Sequence, residues 1–170
     1  MLPKSYIVTK WIIYSLGTLL LFALQHLLLN PIRLLGVTPF LYPILPALVA
    51  SHEGLRSGSV FALSLGVVCD LLLTGPFNGF YTIMFTLIGI LAAVIGENLI
   101  SSGFLCSFAV SVVALLLTSL AQILLLLLSG QTDLLLMGRI ALMECALTLP
   151  AILPAHFIYS KIHRRCAVDY

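Results

Sequence analysis

Three charged side chains within long apolar runs, Asp70, Arg139 and Glu144, are the residues of this chain that could carry chemistry. An ionisable group inside a bilayer costs at least ~2.5 kcal/mol on insertion scales, so it usually faces protein or water. Asp70 precedes a turn-like segment, so we expect it to anchor the backbone of residues 75–79 or to pair with Arg139. The alternative is a proton or ion site. We expect Glu144 to contact a polar group on another helix, because Arg139 lies five residues before it, too far for pairing along one helix.

The other reactive residue types form no catalytic or metal-binding pattern. Histidines 26, 156 and 163 lack a ligand spacing such as HExxH, and the chain has no GxSxG motif and no phosphate-binding loop. Cys69, Cys106, Cys145 and Cys166 contain no CxxC pair, which favours free thiols packed among helices. We therefore expect no enzyme, no cofactor and no metal. A lipid-modifying enzyme built from Asp70, Arg139 and Glu144 is a residual alternative, since their spacing specifies no reaction.

The composition predicts that membrane helices position these side chains. The chain of 170 residues is 61% hydrophobic and 8% charged, whereas soluble domains carry about 25% charged residues. No charged residue occurs between Asp70 and Glu97, or between Glu97 and Asp133, and a spanning helix needs roughly 20 apolar residues. We predict an all-α integral membrane protein, residues 1–170 forming one domain, with a compact bundle of about six transmembrane helices.

Hydrophobic runs and their breaks give approximate bounds for these spans. The predicted spans are 11–29, 34–51, 58–73, 80–96, 104–128 and 140–159. A polar hinge at residues 51–57 separates the second from the third. The second span contains Pro39, Pro43 and Pro46, so it is kinked or only partly spanning, and a re-entrant segment here would leave five spans.

The basic residues orient the predicted bundle. With six spans, one side of the membrane receives Lys4, Lys10, Arg56, Lys161, Arg164 and Arg165, and the other receives Arg33 and Arg139. Cytoplasmic loops carry the excess of lysine and arginine. We therefore predict that both termini are cytoplasmic.

A row of small residues marks the third predicted span. Gly54, Gly58, Ala62, Gly66 and Asp70 follow one another at intervals of four. Small residues at this spacing let another helix approach closely and favour a right-handed crossing. The row predicts a packing groove for a helix of this chain or for a helix of a partner.

The stretch that contains this row resembles the MreD family of rod-shape-determining membrane proteins. The matching residues are Arg56, Gly58, Gly66, Asp70, Gly75, Pro76 and Gly79. Pro150 in the last span and the basic tail of Lys161, His163, Arg164 and Arg165 are also similar to the family's last helix and tail.

The resemblance implies a non-enzymatic scaffold of the cell-elongation machinery, which builds peptidoglycan, in the bacterial cytoplasmic membrane. Such proteins pair with the bitopic protein MreC. Through it they associate with the actin-like MreB filament and with peptidoglycan synthases. The family's fold is thought to be similar to the substrate-binding S-components of ECF vitamin transporters.

An S-component of such a transporter is therefore the alternative function. Members of that class carry an AxxxA-like pair in the first helix for docking their transporter module, whereas the first span here has Ala23 alone. Their substrate pockets also need convergent polar or aromatic groups, and the predicted outer loops offer few. The sequence therefore favours the scaffold.

Overall fold

The computed structural model describes residues 4–29, 38–73, 75–98, 103–130 and 134–166. These ranges are helical apart from short turns and contain no strand. The helices are α1 (Lys4–Leu24), α2 (Ile44–Leu72), α3 (Phe80–Asn98), α4 (Phe104–Leu128), α5 (Leu134–Thr148) and α6 (Ile152–Cys166). A π-helical turn, Gln25–Leu29, extends α1, and a 3₁₀ turn, Leu149–Ala151, joins α5 to α6.

Five helical segments are long and apolar enough to cross a membrane. They are Val8–Leu27, Ile44–Leu72, Phe80–Asn98, Phe104–Leu128 and Leu135–His163. Large apolar side chains remain on the outside, with Leu71 81% and Leu135 87% exposed. A helical bundle with such a surface is compatible with a multi-pass membrane protein.

The number of candidate membrane-spanning segments is five and not six, because the predicted spans 34–51 and 58–73 fall mostly on one helix, α2. This helix begins at Ile44, and the first residues of the predicted second span lie outside the described ranges. Pro43 directly precedes α2 and Pro46 lies in its first turn. Proline is tolerated there because the first backbone N–H groups of a helix have no intrahelical acceptor. Two of the three prolines therefore start a helix and do not kink one.

The polar hinge predicted at residues 51–57 corresponds to a sharp break within α2. Gly54 has φ 77° and ψ 179°, a conformation that glycine adopts without a Cβ clash. A Cβ added to Gly58 would lie 2.5 Å from the Cα of Ala50, although residues eight apart in a straight helix are separated by about 12 Å. The chain therefore folds back at Gly54, and residues 44–53 pack against residues 55–72.

The other helices pack around this folded-back segment. Helix α3 runs antiparallel to residues 55–72 and makes the most extensive contact in the bundle with α2. Helices α1 and α6 meet through Tyr14 and Tyr159, whose fully buried rings stack with centroids 6.1 Å apart. We name the two ends of the bundle the Glu53 end and the Asp70 end, after the carboxylate that organises each one.

The last predicted span, 140–159, lies within the longer unit formed by α5 and α6. Helix α5 already begins at Leu134, and Pro150 lies in the 3₁₀ turn that joins it to α6. The segment Leu135–His163 is also the least enclosed of the five, because only 17% of its most apolar 18-residue stretch is buried. Much of α5 therefore lies on the surface of the bundle.

Candidate functional site

The small-residue row of α2 packs inside the chain. Gly58 lies against Ala50, and Ala62 is fully buried. A Cβ added to Gly89 of α3 would lie 2.5 Å from the Cβ of Ala62. A Cβ added to Gly66 would lie 2.6 Å from the Cα of Thr82. Of the two occupants that the sequence left open for this row, the structure places a helix of the same chain there.

Asp70 caps the start of α3. Its carboxylate accepts hydrogen bonds from the backbone N–H groups of Tyr81 and Thr82, both at 2.9 Å, and a third from the hydroxyl of Thr82. The first N–H groups of a helix have no intrahelical acceptor, and a carboxylate there also interacts favourably with the helix dipole. Asp70 is thus a structural anchor, as one interpretation of the sequence expected. However, its donors are the first residues of α3 and not residues 75–79.

The turn before α3 contains the other residues of the predicted motif. Gly79 has φ 91°, a left-handed conformation that favours glycine. A Cβ on Gly75 would lie 3.3 Å from the ring of Tyr81, while Pro76 is exposed. These residues lead the chain from α2 into α3 and bring the start of α3 within reach of Asp70.

Arg139 and Glu144 form no ion pair with Asp70 among the described residues. Arg139 is exposed on α5, and Glu144 is half-buried on the same helix. Within the described ranges, the ion pairs are formed by Glu53 and not by these residues. The predicted pairing of Asp70 with Arg139 is therefore not formed in this structure.

A polar cluster that the sequence did not predict is centred on Glu53. Its side chain is 5% exposed and forms a salt bridge with Lys10 of α1. The hydroxyl of Tyr14 donates to its carboxylate at 2.7 Å, and Nδ1 of His163 lies 3.2 Å away. Glu53 directly precedes the break at Gly54, so the cluster joins α1 and α6 to the point where α2 folds back.

Two further histidines extend this cluster. The ring of His52 stacks on that of His163 with centroids 5.2 Å apart, and both its ring nitrogens are buried without a hydrogen-bond partner among the described residues. His156 lies 6.2 Å from His52 and contacts the hydroxyl of Ser107 at 2.8 Å. No group of three or more histidine, cysteine or acidic side chains in the described ranges is arranged to hold a metal ion.

Glu97, near the C-terminal end of α3, also lies at the Glu53 end of the bundle. Its carboxylate accepts a hydrogen bond at 2.9 Å from the backbone N–H of Leu55, the first residue after the break. Asp70 therefore caps α3 from the end of residues 55–72, and Glu97 caps residues 55–72 from the end of α3. The two antiparallel helices cap each other, which fixes their register at both ends.

Side-chain contacts also hold α1 against the segment that leads into α2. Gln25 is 2% exposed; its amide donates to the carbonyl of Pro39 at 2.6 Å and accepts from the N–H of Leu41 at 3.1 Å. The hydroxyl of Tyr42 lies 3.1 Å from the ring of His26. A buried glutamine that satisfies two backbone groups stabilises this packing, because unpaired polar groups are costly in an apolar interior.

A groove of about 840 Å³ separates α1 from residues 55–72. Apolar side chains form most of its walls, among them Leu19 and Phe22 of α1 and Val60 and Val68 of α2. Trp11 and Arg56 lie towards its Glu53 end, and His26 and Leu72 towards its Asp70 end. The groove lies apart from the α2–α3 interface, so the small-residue row does not contribute to it.

No family model, curated protein or solved structure matches this chain. Its chemistry must therefore be inferred from its own residues and their contacts.

The carboxylates of the described residues act mainly in structure. Asp70 and Glu97 cap helices, and Glu53 joins three segments. These three carboxylates therefore hold the helices of the bundle together. The carboxylate of Glu144 forms no such contact among the described residues.

Proposed function

We propose that this chain is a non-enzymatic membrane scaffold of the bacterial cell-elongation machinery, which builds peptidoglycan and maintains rod shape. In this proposal it lies in the cytoplasmic membrane and binds an MreC-like bitopic protein. Through that partner it associates with an MreB-like filament and with peptidoglycan synthases.

The mutual capping of α2 and α3 is the observation that best supports a scaffold. The stretch that resembles the MreD family, from Arg56 to Gly79, contains the Asp70 cap and the close approach at Gly66. The described residues of this stretch act in one structural unit. A motif that builds a rigid helix pair suits a protein whose task is to hold other membrane proteins in place.

We further propose six membrane crossings, with residues 38–53 crossing separately from residues 55–72. The reversal at Gly54 supports this topology, because residues 44–53 run back along residues 55–72. An even number of crossings places both termini on one side, together with Lys10, Arg56 and Lys161. The excess of basic residues favours the cytoplasm for that side, which is the Glu53 end.

In this proposal the partner's membrane helix packs against α5. The small-residue row is filled by α3 and by residues 44–53, whereas α5 belongs to the least enclosed segment. A Cβ added to Gly138 of α5 would meet no atom within 4 Å. Glycine on an open helix face allows a second helix to approach closely in a membrane.

Co-purification of the tagged protein from its native membrane tests this function, with mass spectrometry of both proteins and small molecules. We expect an MreC-like bitopic protein in near-stoichiometric amount. Gly138→Leu should lower its recovery at least fivefold without lowering the melting temperature, because the new side chain enters open space. Val67→Phe, on the exposed face of α2, is the matched control and should retain the partner. If both variants retain the partner, α5 is not the binding surface. If no bitopic protein is recovered with the wild type, the scaffold proposal is wrong.

An S-component of an ECF-type vitamin transporter remains the second candidate, and the groove between α1 and α2 is the observation that favours it. Its volume of about 840 Å³ falls within the range of small-molecule pockets, about 300–1,000 Å³. A stoichiometric vitamin-like ligand or ATPase subunits in the same purification would favour this function over the scaffold.

A further inference from the structure

The groove between α1 and residues 55–72 has the length of a lipid chain. It extends from Trp11 to His26 along α1 and from Arg56 to Leu72 along α2. At 1.5 Å per residue, a helical stretch of this length covers about 22 Å, which is most of the ~30 Å hydrocarbon core of a bilayer. Acyl chains from one leaflet could therefore lie along it.

The groove is wide enough for hydrocarbon chains. The volume of about 840 Å³ over a length of about 22 Å gives a cross-section of roughly 40 Å². Carbon atoms pack at about 3.5–4.0 Å, so one hydrocarbon chain occupies roughly 15–20 Å². The groove therefore has room for about two acyl chains side by side.

Hydrogen-bond donors line the Glu53 end of the groove. Arg56 is exposed there and forms no ion pair with the described residues. Lys10, in contrast, is paired with Glu53. The indole of Trp11 and the hydroxyl of Ser57 line the same end. A guanidinium group is a strong, potentially bidentate partner for phosphate.

We propose that this groove binds an anionic phospholipid, with its acyl chains between α1 and residues 55–72 and its phosphate at Arg56. The apolar walls match the chains, and the cation at one mouth complements the charge of the headgroup. Basic pockets between membrane helices bind anionic headgroups in this way. The site is independent of the partner surface proposed on α5.

The single tryptophan of the chain, Trp11, gives a direct assay because it lines the groove. The full-length protein is reconstituted in vesicles of brominated phosphatidylcholine, and unbrominated phosphatidylglycerol is added in increasing proportion. Relief of Trp11 quenching reports the relative affinity of the two lipids. One favourable charge near the membrane surface contributes about 1 kcal/mol, so we expect phosphatidylglycerol to be favoured about fivefold.

Two charge variants test the role of Arg56. Arg56→Gln should remove the preference for phosphatidylglycerol. Arg139→Gln removes the same charge from an exposed residue of α5 outside the groove, and it should retain the preference. Equal preference in the wild type and Arg56→Gln, or an equal loss in both variants, would overturn the proposal.

Two neighbouring valines test the groove itself. Val68 lines it and Val67 does not, and their exposures are similar, at 46% and 42%. Val68→Phe narrows the groove for the chains of both lipids, so it should at least halve the quenching of Trp11 by brominated chains, and Val67→Phe should leave that quenching unchanged. If Val68→Phe instead abolishes recovery of a bitopic protein and leaves the quenching intact, the groove holds a partner helix and the lipid proposal is wrong.

Discussion

Replacing Asp70 by alanine should destabilise the protein through α3. The substitution removes the acceptor for two backbone N–H groups and for the hydroxyl of Thr82. Loss of an N-terminal cap costs about 0.5–2 kcal/mol, and a carboxylate near a helix N-terminus contributes about a further 0.3–1 kcal/mol. The expected loss in the free energy of unfolding is therefore about 2 kcal/mol, or a fall of about 4–8 °C in melting temperature for a chain of this size.

The assay is thermal unfolding of the purified protein in detergent and in nanodiscs. Asp70→Asn should lose less stability than Asp70→Ala, because its one amide oxygen can replace only one of the two carboxylate oxygens that accept from Tyr81 and Thr82. Asn98→Ala at the other end of α3 is the matched control, since among the described residues its exposed side chain bonds only to the carbonyl of Val94. A melting temperature of Asp70→Ala within 2 °C of the wild type would refute the capping role. Equal losses for asparagine and alanine would show that both carboxylate oxygens are needed as acceptors.

Three further substitutions test the packing by thermal unfolding. Gly66→Ala should lower the free energy of unfolding by about 1–3 kcal/mol through overpacking, because its Cβ would lie 2.6 Å from the Cα of Thr82. Gly138→Ala is the control and should not destabilise the protein, because its Cβ enters open space. Equal losses of stability in the two variants would contradict the close α2–α3 contact. Glu53→Ala should cost about 3–5 kcal/mol, since it leaves Lys10 unpaired, and an unchanged melting temperature would exclude a structural role for the cluster. Gly54→Ala should cost about 1–3 kcal/mol, because φ 77° with ψ 179° is a conformation that essentially only glycine adopts and the new Cβ would lie 2.6 Å from Oε1 of Glu97. A neutral result would contradict the reversal in α2.

The sequence predicts the helical class and most helix positions because long apolar runs require burial or lipid. The fold-back in α2 was only partly foreseeable. Gly54 lies in the polar segment predicted as a hinge, but the sequence does not show how closely the chain reverses. Pro46 shows why prolines are hard to interpret from sequence. Proline kinks a helix when it lies in the interior but is tolerated in the first turn.

The Asp70 anchor and the Glu53 cluster differ in how much local sequence could reveal. Asp70 and its donors are separated by 11 and 12 residues across one turn, so an anchoring role was foreseeable from the spacing. Glu53, in contrast, bonds to Tyr14, 39 residues away, and contacts His163, 110 residues away. Such contacts arise only when α1, α2 and α6 pack together, and no local pattern predicts them.

The use of the few acidic residues argues for an architectural role. Asp70 and Glu97 each lie at the C-terminal end of a helix, where a negative charge is unfavourable for that helix's own dipole. Each carboxylate caps the N-terminus of the antiparallel neighbour, and this contact offsets the unfavourable one. Among the described residues, Glu144 is the acidic residue left without a hydrogen bond or ion pair for its carboxylate. The carboxylates of Asp70, Glu97 and Glu53 thus hold neighbouring helices in register, and this use of charge is structural.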